Sequence, residues 1–85
     1  MTARASRPEI RNPVLALPAA QRLGDLAPAE RAAVEAILRD IAADAATRAD
    51  YAWRKHKAPM AAYWKAVSVY ARHIAIAVSK ARARA

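Results

Sequence analysis

Eighty-five residues limit the chain to one domain. The absence of cysteine excludes a disulfide framework and a thiolate metal site, and a single glycine excludes a glycine-rich phosphate loop. Fifteen Lys/Arg against seven Asp/Glu leave a formal charge of +8, a field that collects phosphate backbones or acidic protein surfaces.

The charge is segregated. Residues 1–24 carry +3, residues 25–50 carry −3, and residues 51–85 carry +8 with no carboxylate after Asp50. The first eight residues are Arg-rich without an apolar core, so they do not read as a secretory signal. The most apolar stretch, 66–79, is interrupted by Arg72 and His73 and falls short of the ~20 residues a membrane span needs. The expectation is a soluble, cytoplasmic protein with no membrane partner.

Residues 1–13 hold Arg4, Arg7, Arg11, Pro8 and Pro13, with Ile10 the one large aliphatic after Met1. Such a segment buries too little apolar area to offset its ordering entropy and reads as a flexible basic arm. A single helical domain follows over 14–81. Pro18 suits the start of a short helix at about 18–23 and Gly24 its end, with Leu23 and Leu26 docking it.

Pro28 opens a long helix, with Glu30 and Glu35 near its positive end. Val34, Ile37, Leu38, Ile41, Ala45, Ala49 and Ala52 recur at helical spacing and predict its buried face. Arg48 falls on that stripe, either with its stem along the core or at the end of the buried face. The helix either runs to His56 or breaks near Thr47–Asp50, where Asp50 would cap a new turn.

Pro59 forces a boundary and disfavours the α conformation at Ala58. Beyond it, Met60, Tyr63, Trp64, Val67, Tyr70, Ala71, Ile74 and Val78 trace a third helix over 59–81. A thinner stripe of Val69 and Ile76, bordered by Lys65, Arg72 and Lys80, lies opposite. A helix apolar on two sides is sandwiched, here by the short first helix or by another copy of the chain. Residues 82–85 form a frayed basic tail. The fold class is all-α, a short helix covering two long helices that meet at Pro59 as a hairpin or a kinked pair.

The densest chemistry spans that joint, where Tyr51, Trp53, Tyr63 and Trp64 interleave with Arg54, Lys55, Lys57 and Lys65. Indole faces stack on bases, cations pair with phosphates, and the first N–H groups of the third helix, on Met60, Ala61 and Ala62, suit an anion. The candidate nucleic-acid or anion site is Trp53, Arg54, Lys55, Lys57, Lys65 and Arg72, with Arg4, Arg7 and Arg11 as an auxiliary arm. The structural alternative is equally concrete: Lys55 and Lys57 complement the negative end of the second helix, and the aromatics plug the end of a small core. Trp64, close to the main stripe, reads as core. Trp53 divides evenly between rim packing and a contact surface.

Catalysis lacks its parts, so the chain reads as a non-enzyme. His56 and His73 lie seventeen residues apart, no serine has a neighbouring base by helical spacing, and no acid pair accompanies the histidines. Neither a metal nor a cofactor is implied.

The stretch from Ala58 to Ile74, with Trp53–Lys57 before it, resembles small proteins carried by prophages and mobile elements of alphaproteobacteria. The likeness covers roughly residues 12–80. It carries over no functional residue, and it implies a short binding protein of host takeover, packaging or regulation. Two functional expectations follow. The first is a nucleic-acid-binding accessory protein that uses the basic and aromatic joint. The second is an interaction module, an inhibitor or adaptor, that docks an acidic protein partner.

Overall fold

The structure, a computed structural model, describes residues 11–84, with side chains described through residue 81. The described residues are all-α with no strand. Their elements are a 3₁₀ turn Pro13–Ala16, helix α1 Pro18–Gln21, a second 3₁₀ turn Arg22–Asp25, helix α2 Pro28–Arg54 and helix α3 Ala58–Arg84. Arg4 and Arg7 of the expected arm lie outside the described residues.

Helix α2 begins at Pro28, where a missing N–H costs nothing. The Glu30 carboxylate accepts the Ala27 N–H at 3.1 Å. No break occurs near Thr47–Asp50: the Thr47 hydroxyl donates to the Ala43 carbonyl at 3.3 Å, and the helix continues to Arg54. It ends in a Schellman motif. The Lys57 N–H returns to the Ala52 carbonyl and the His56 N–H to the Trp53 carbonyl, with His56 in the left-handed region at φ 61°. Helix α3 then starts at Ala58. Pro59 therefore sits inside the first turn, one position later than expected, where its lack of an N–H is still tolerated.

The two long helices pack antiparallel along their length, and the Ser68 hydroxyl donates across to the Ala42 carbonyl at 2.9 Å. The seam between them keeps Leu38, Ala45, Ala49, Ala52, Trp64, Ala71 and Val78 of the expected stripes and adds Ala42, Ala61, Ser68 and Ala75. On α2 the seam is Leu38, Ala42, Ala45, Ala49 and Ala52; on α3 it is Ala61, Trp64, Ser68, Ala71, Ala75 and Val78. Both series alternate steps of three and four, the 3.5-residue period of a coiled coil. Ile37, Ile41, Met60, Tyr63, Tyr70 and Ile74, expected in the core, are instead exposed, Ile37 to 58%. The reason is steric: alanine and serine at the seam let two backbones approach closely, while the bulky stripe one position away is excluded from the gap.

The N-terminal segment crosses the C-terminal half of α3. Asn12 is buried, and its side-chain amide donates to the His73 carbonyl at 2.9 Å. Leu15 lines one hollow with Ile76 and another with Ala77 and Ala81. Ile76 and Leu15 thus share one open hollow, and Asn12, within the expected arm, is tied to α3. Gly24 lies within the second 3₁₀ turn at negative φ instead of forming a left-handed helix end. Arg31, only 3% exposed, donates Nη1 to the carbonyls of Gly24 at 3.3 Å and Leu26 at 2.6 Å, fixing this segment onto α2. The backbone of α3 is helical through Arg84, past residue 81 where fraying was expected.

Candidate nucleic-acid interface

The coiled-coil register sorts the surface side chains onto two faces of the hairpin. Counting from the seam, Arg39 and Trp53 of α2 and Lys65, Arg72 and Ser79 of α3 follow the seam residues directly and share one edge. The opposite edge holds Ile41 and Arg48 of α2 and Met60, Val67 and Ile74 of α3, which precede the seam residues. The open grooves agree with this division. One of about 280 Å³ is lined by Ala49, Asp50, Trp53, Ala58, Ala61, Ala62 and Lys65, and another, on the far side, by Asp44, Arg48, Tyr51, Lys57, Met60 and Trp64 among others.

The structure therefore divides the expected site. Trp53, 68% exposed, stands beside Lys65 in the first groove. Arg72 lies seven residues further along the same edge of α3, a rise of ~10 Å, in a hollow shared with Arg11, His73 and Lys80. Arg54 sits at the tip with Trp53, His56 and Ala58, between the two faces. Lys57 turns to the far side, near Met60 and Trp64. Lys55 rests over the Tyr51 ring at 5.5 Å. These last two do not join Trp53 and Lys65 in one patch.

The helix-start anion site is also reduced. The Ala61 N–H is occupied by the Lys57 carbonyl at 2.9 Å, and Pro59 has no N–H to give. Side-chain charge, more than backbone dipole, is what this surface offers an anion.

Only two ion pairs occur among the described residues, Arg39 with Glu35 at 3.1 Å and Arg48 with Asp44 at 3.3 Å, both within α2. Arg54, Lys55, Lys57, Lys65 and Arg72 join neither, so the acids of α2 leave the basic edge unneutralised. Asp50 is the exception in kind: it lines the groove between Trp53 and Lys65 and opposes anion binding there.

Trp64 is half-buried at the open end of the seam. Tyr63 meets it edge-on at 5.1 Å between centroids, and the Arg48 guanidinium lies 5.4 Å from its ring. The expectation of core packing holds for this indole on one side only. His73 is half-buried and serves the fold through its carbonyl.

The sequence reading missed Asp50 as a member of the groove, and it missed Arg31 and Asn12 as buried polar ties. The Asp50–Trp53 spacing of three residues was the available signal for the first. Nothing local marks Arg31, because its partners are backbone carbonyls. Among the described residues no group of three or more His, Asp or Glu is placed to hold a metal ion, and no helix is long and apolar enough to cross a membrane.

No protein-family model, curated protein or solved structure matches this chain.

Proposed function

We propose that the chain is a non-enzymatic nucleic-acid-binding accessory protein that engages phosphate backbones along the edge carrying Trp53, Lys65, Arg72 and Arg11, with Arg54 at its tip. The observation that carries this reading is the pairing of a largely exposed indole with Lys65 in an open groove, on an edge where Lys65 and Arg72 meet no carboxylate in an ion pair among the described residues. Stacking on an aromatic face contributes ~1–3 kcal/mol per base and tolerates any sequence, so single-stranded DNA or RNA is the favoured ligand. Lys55 and Lys57, turned elsewhere, add to the general field. The likeness to mobile-element proteins fits a small accessory role of this kind.

Fluorescence anisotropy with labelled single-stranded oligonucleotides tests the assignment. Trp53→Ala is expected to weaken binding roughly 10-fold or more, Lys65→Ala with Arg72→Ala to weaken it further, and Asp50→Asn to strengthen it. Equal affinity in all these variants would remove the edge from the binding surface.

A second reading, docking of an acidic protein, draws on Tyr51, Trp53 and Met60, which stand exposed among the joint's cations as anchors for such a partner. Pull-down before and after nuclease treatment separates the two: a partner lost on digestion supports nucleic acid, and one retained supports protein docking.

A further inference from the structure

The edge opposite Trp53 carries a different chemistry. Register places Val34, Ile37, Ile41, Asp44, Arg48 and Tyr51 of α2 beside Met60, Tyr63, Val67, Tyr70 and Ile74 of α3 on one continuous face. Tyr70 is 62% exposed, and Ile37, Ile41, Tyr51, Met60, Tyr63 and Ile74 are all more than a third open. Taking ~200 Å² as the full surface of a large apolar side chain, these exposures leave roughly 700 Å² of this face uncovered. That exceeds the ~300–600 Å² of the largest apolar patch on a typical monomer and approaches the ~800 Å² that a standard interface takes from each partner.

We propose that this face is a homodimer interface, on which a second copy of the hairpin packs to complete a four-helix bundle around Ile37, Ile41, Tyr63, Val67, Tyr70 and Ile74. Charge selects the occupant. Within a chain of +8 the middle of this face holds one acid and one base, Asp44 and Arg48, already paired at 3.3 Å, with Lys55 and Lys57 only at its joint end beside Tyr51 and Met60. Two copies repel least where the middle of the face is locally neutral, and laying them end for end keeps their joint-end cations apart. A two-fold axis lying in the interface, across the helices and passing near residues 44–48, sets Asp44 of each copy against Arg48 of the other, the reciprocal pairing an isologous contact requires. The same operation lays the aliphatic end, Ile37 and Ile41, over the aromatic end, Tyr51 and Met60. The residues before Arg11 offer only Ile10 as a large aliphatic after Met1, too little to cover such a face. Association also supplies the large-residue burial that the alanine seam lacks. Both Trp53 edges are then left facing outward.

Sedimentation equilibrium of the full chain, from low micromolar to about 0.5 mM, tests the proposal alongside far-UV circular dichroism. The wild type is expected to move from 9.2 kDa toward twice that mass. Ile41→Glu with Tyr70→Glu is expected to raise the dimer dissociation constant at least ~100-fold with helicity retained. Should that double variant unfold, Ile37→Glu alone, at the more exposed edge of the face, provides the same test. Asp44→Arg and Arg48→Asp are each expected to weaken the dimer, and together to restore it in part. A chain that stays monomeric throughout overturns the proposal, whatever else the face binds. So does a dimer that survives the glutamate substitutions, since its interface would then lie elsewhere.

Discussion

His56 is the only non-glycine residue at positive φ among those described, and it sits where helix-ending motifs most often place glycine. A β-carbon in the left-handed region costs ~1 kcal/mol, and histidine tolerates it better than bulky residues do. His56→Gly is therefore expected to stabilise the fold by about 0.5–1 kcal/mol, read as a rise in the urea midpoint without a change in slope. A second residue-scale prediction concerns Arg31, a buried cation whose Nη1 donates to the carbonyls of Gly24 and Leu26 while its Nε has no partner among the described residues. Removing a charged donor of this kind costs ~1.5–3 kcal/mol, so Arg31→Ala should lower the stability by that amount. Amide exchange should accelerate first in residues 22–26, which the guanidinium holds. Neither role was legible in the sequence. The turn at 55–57 was readable from Pro59, but a left-handed histidine carries no local signature. A buried arginine whose partners are backbone carbonyls leaves none either.

At the scale of elements, the prolines were the reliable signals. Pro28 and Pro59 mark the starts of both long helices, and the hairpin was legible from them as one of two arrangements. The face each helix buries was legible only in part: Leu38, Ala45, Ala49, Ala52, Ala71 and Val78 stood on the expected stripes and lie in the seam, but the large residues beside them do not. Ile37, Ile41, Tyr63 and Tyr70 follow the spacing of a core stripe, and so do Ala42, Ala45, Ala49 and Ala52 about one position away. Hydropathy favours the bulky set, whereas close approach of two backbones favours the small one. The fully buried Ala75 tests the outcome. Ala75→Leu is expected to destabilise by ~1–3 kcal/mol through overpacking of the seam. The same change at exposed Ala36, on the outer side of α2, is expected to shift stability by less than ~0.5 kcal/mol. Thermal melts of the two variants side by side would separate an alanine seam from a core built on the large residues. The split of the candidate site has the same origin. Adjacent positions such as Lys55, Lys57 and Trp53 are near in sequence, but a helix ending in a tight turn sends them to different sides.

At the scale of the molecule, packing through alanine gives the hairpin two unlike edges. One is basic and exposes Trp53 and Lys65, with Arg72 and Arg11 further along; the other exposes isoleucine and tyrosine around the Asp44–Arg48 pair. The excess of cations after Asp50 was evident from the sequence, and the two intrahelical ion pairs leave that excess in place. Exposed pairs of this sort contribute only ~0–1 kcal/mol each, so they serve solubility more than stability. The separation of edges allows the two proposed surfaces to operate independently: a dimer variant should keep its affinity for oligonucleotides per chain, losing only the gain from two linked sites. The most direct test of the basic edge is a titration of the wild-type chain against a single-stranded oligonucleotide at stepped salt concentrations. With about four cations contacting phosphates, the logarithm of affinity should fall against the logarithm of salt with a slope of about −3, and Lys65→Ala with Arg72→Ala should make that slope shallower. Absence of measurable binding at low salt, or a slope unchanged in the double variant, would contradict the account.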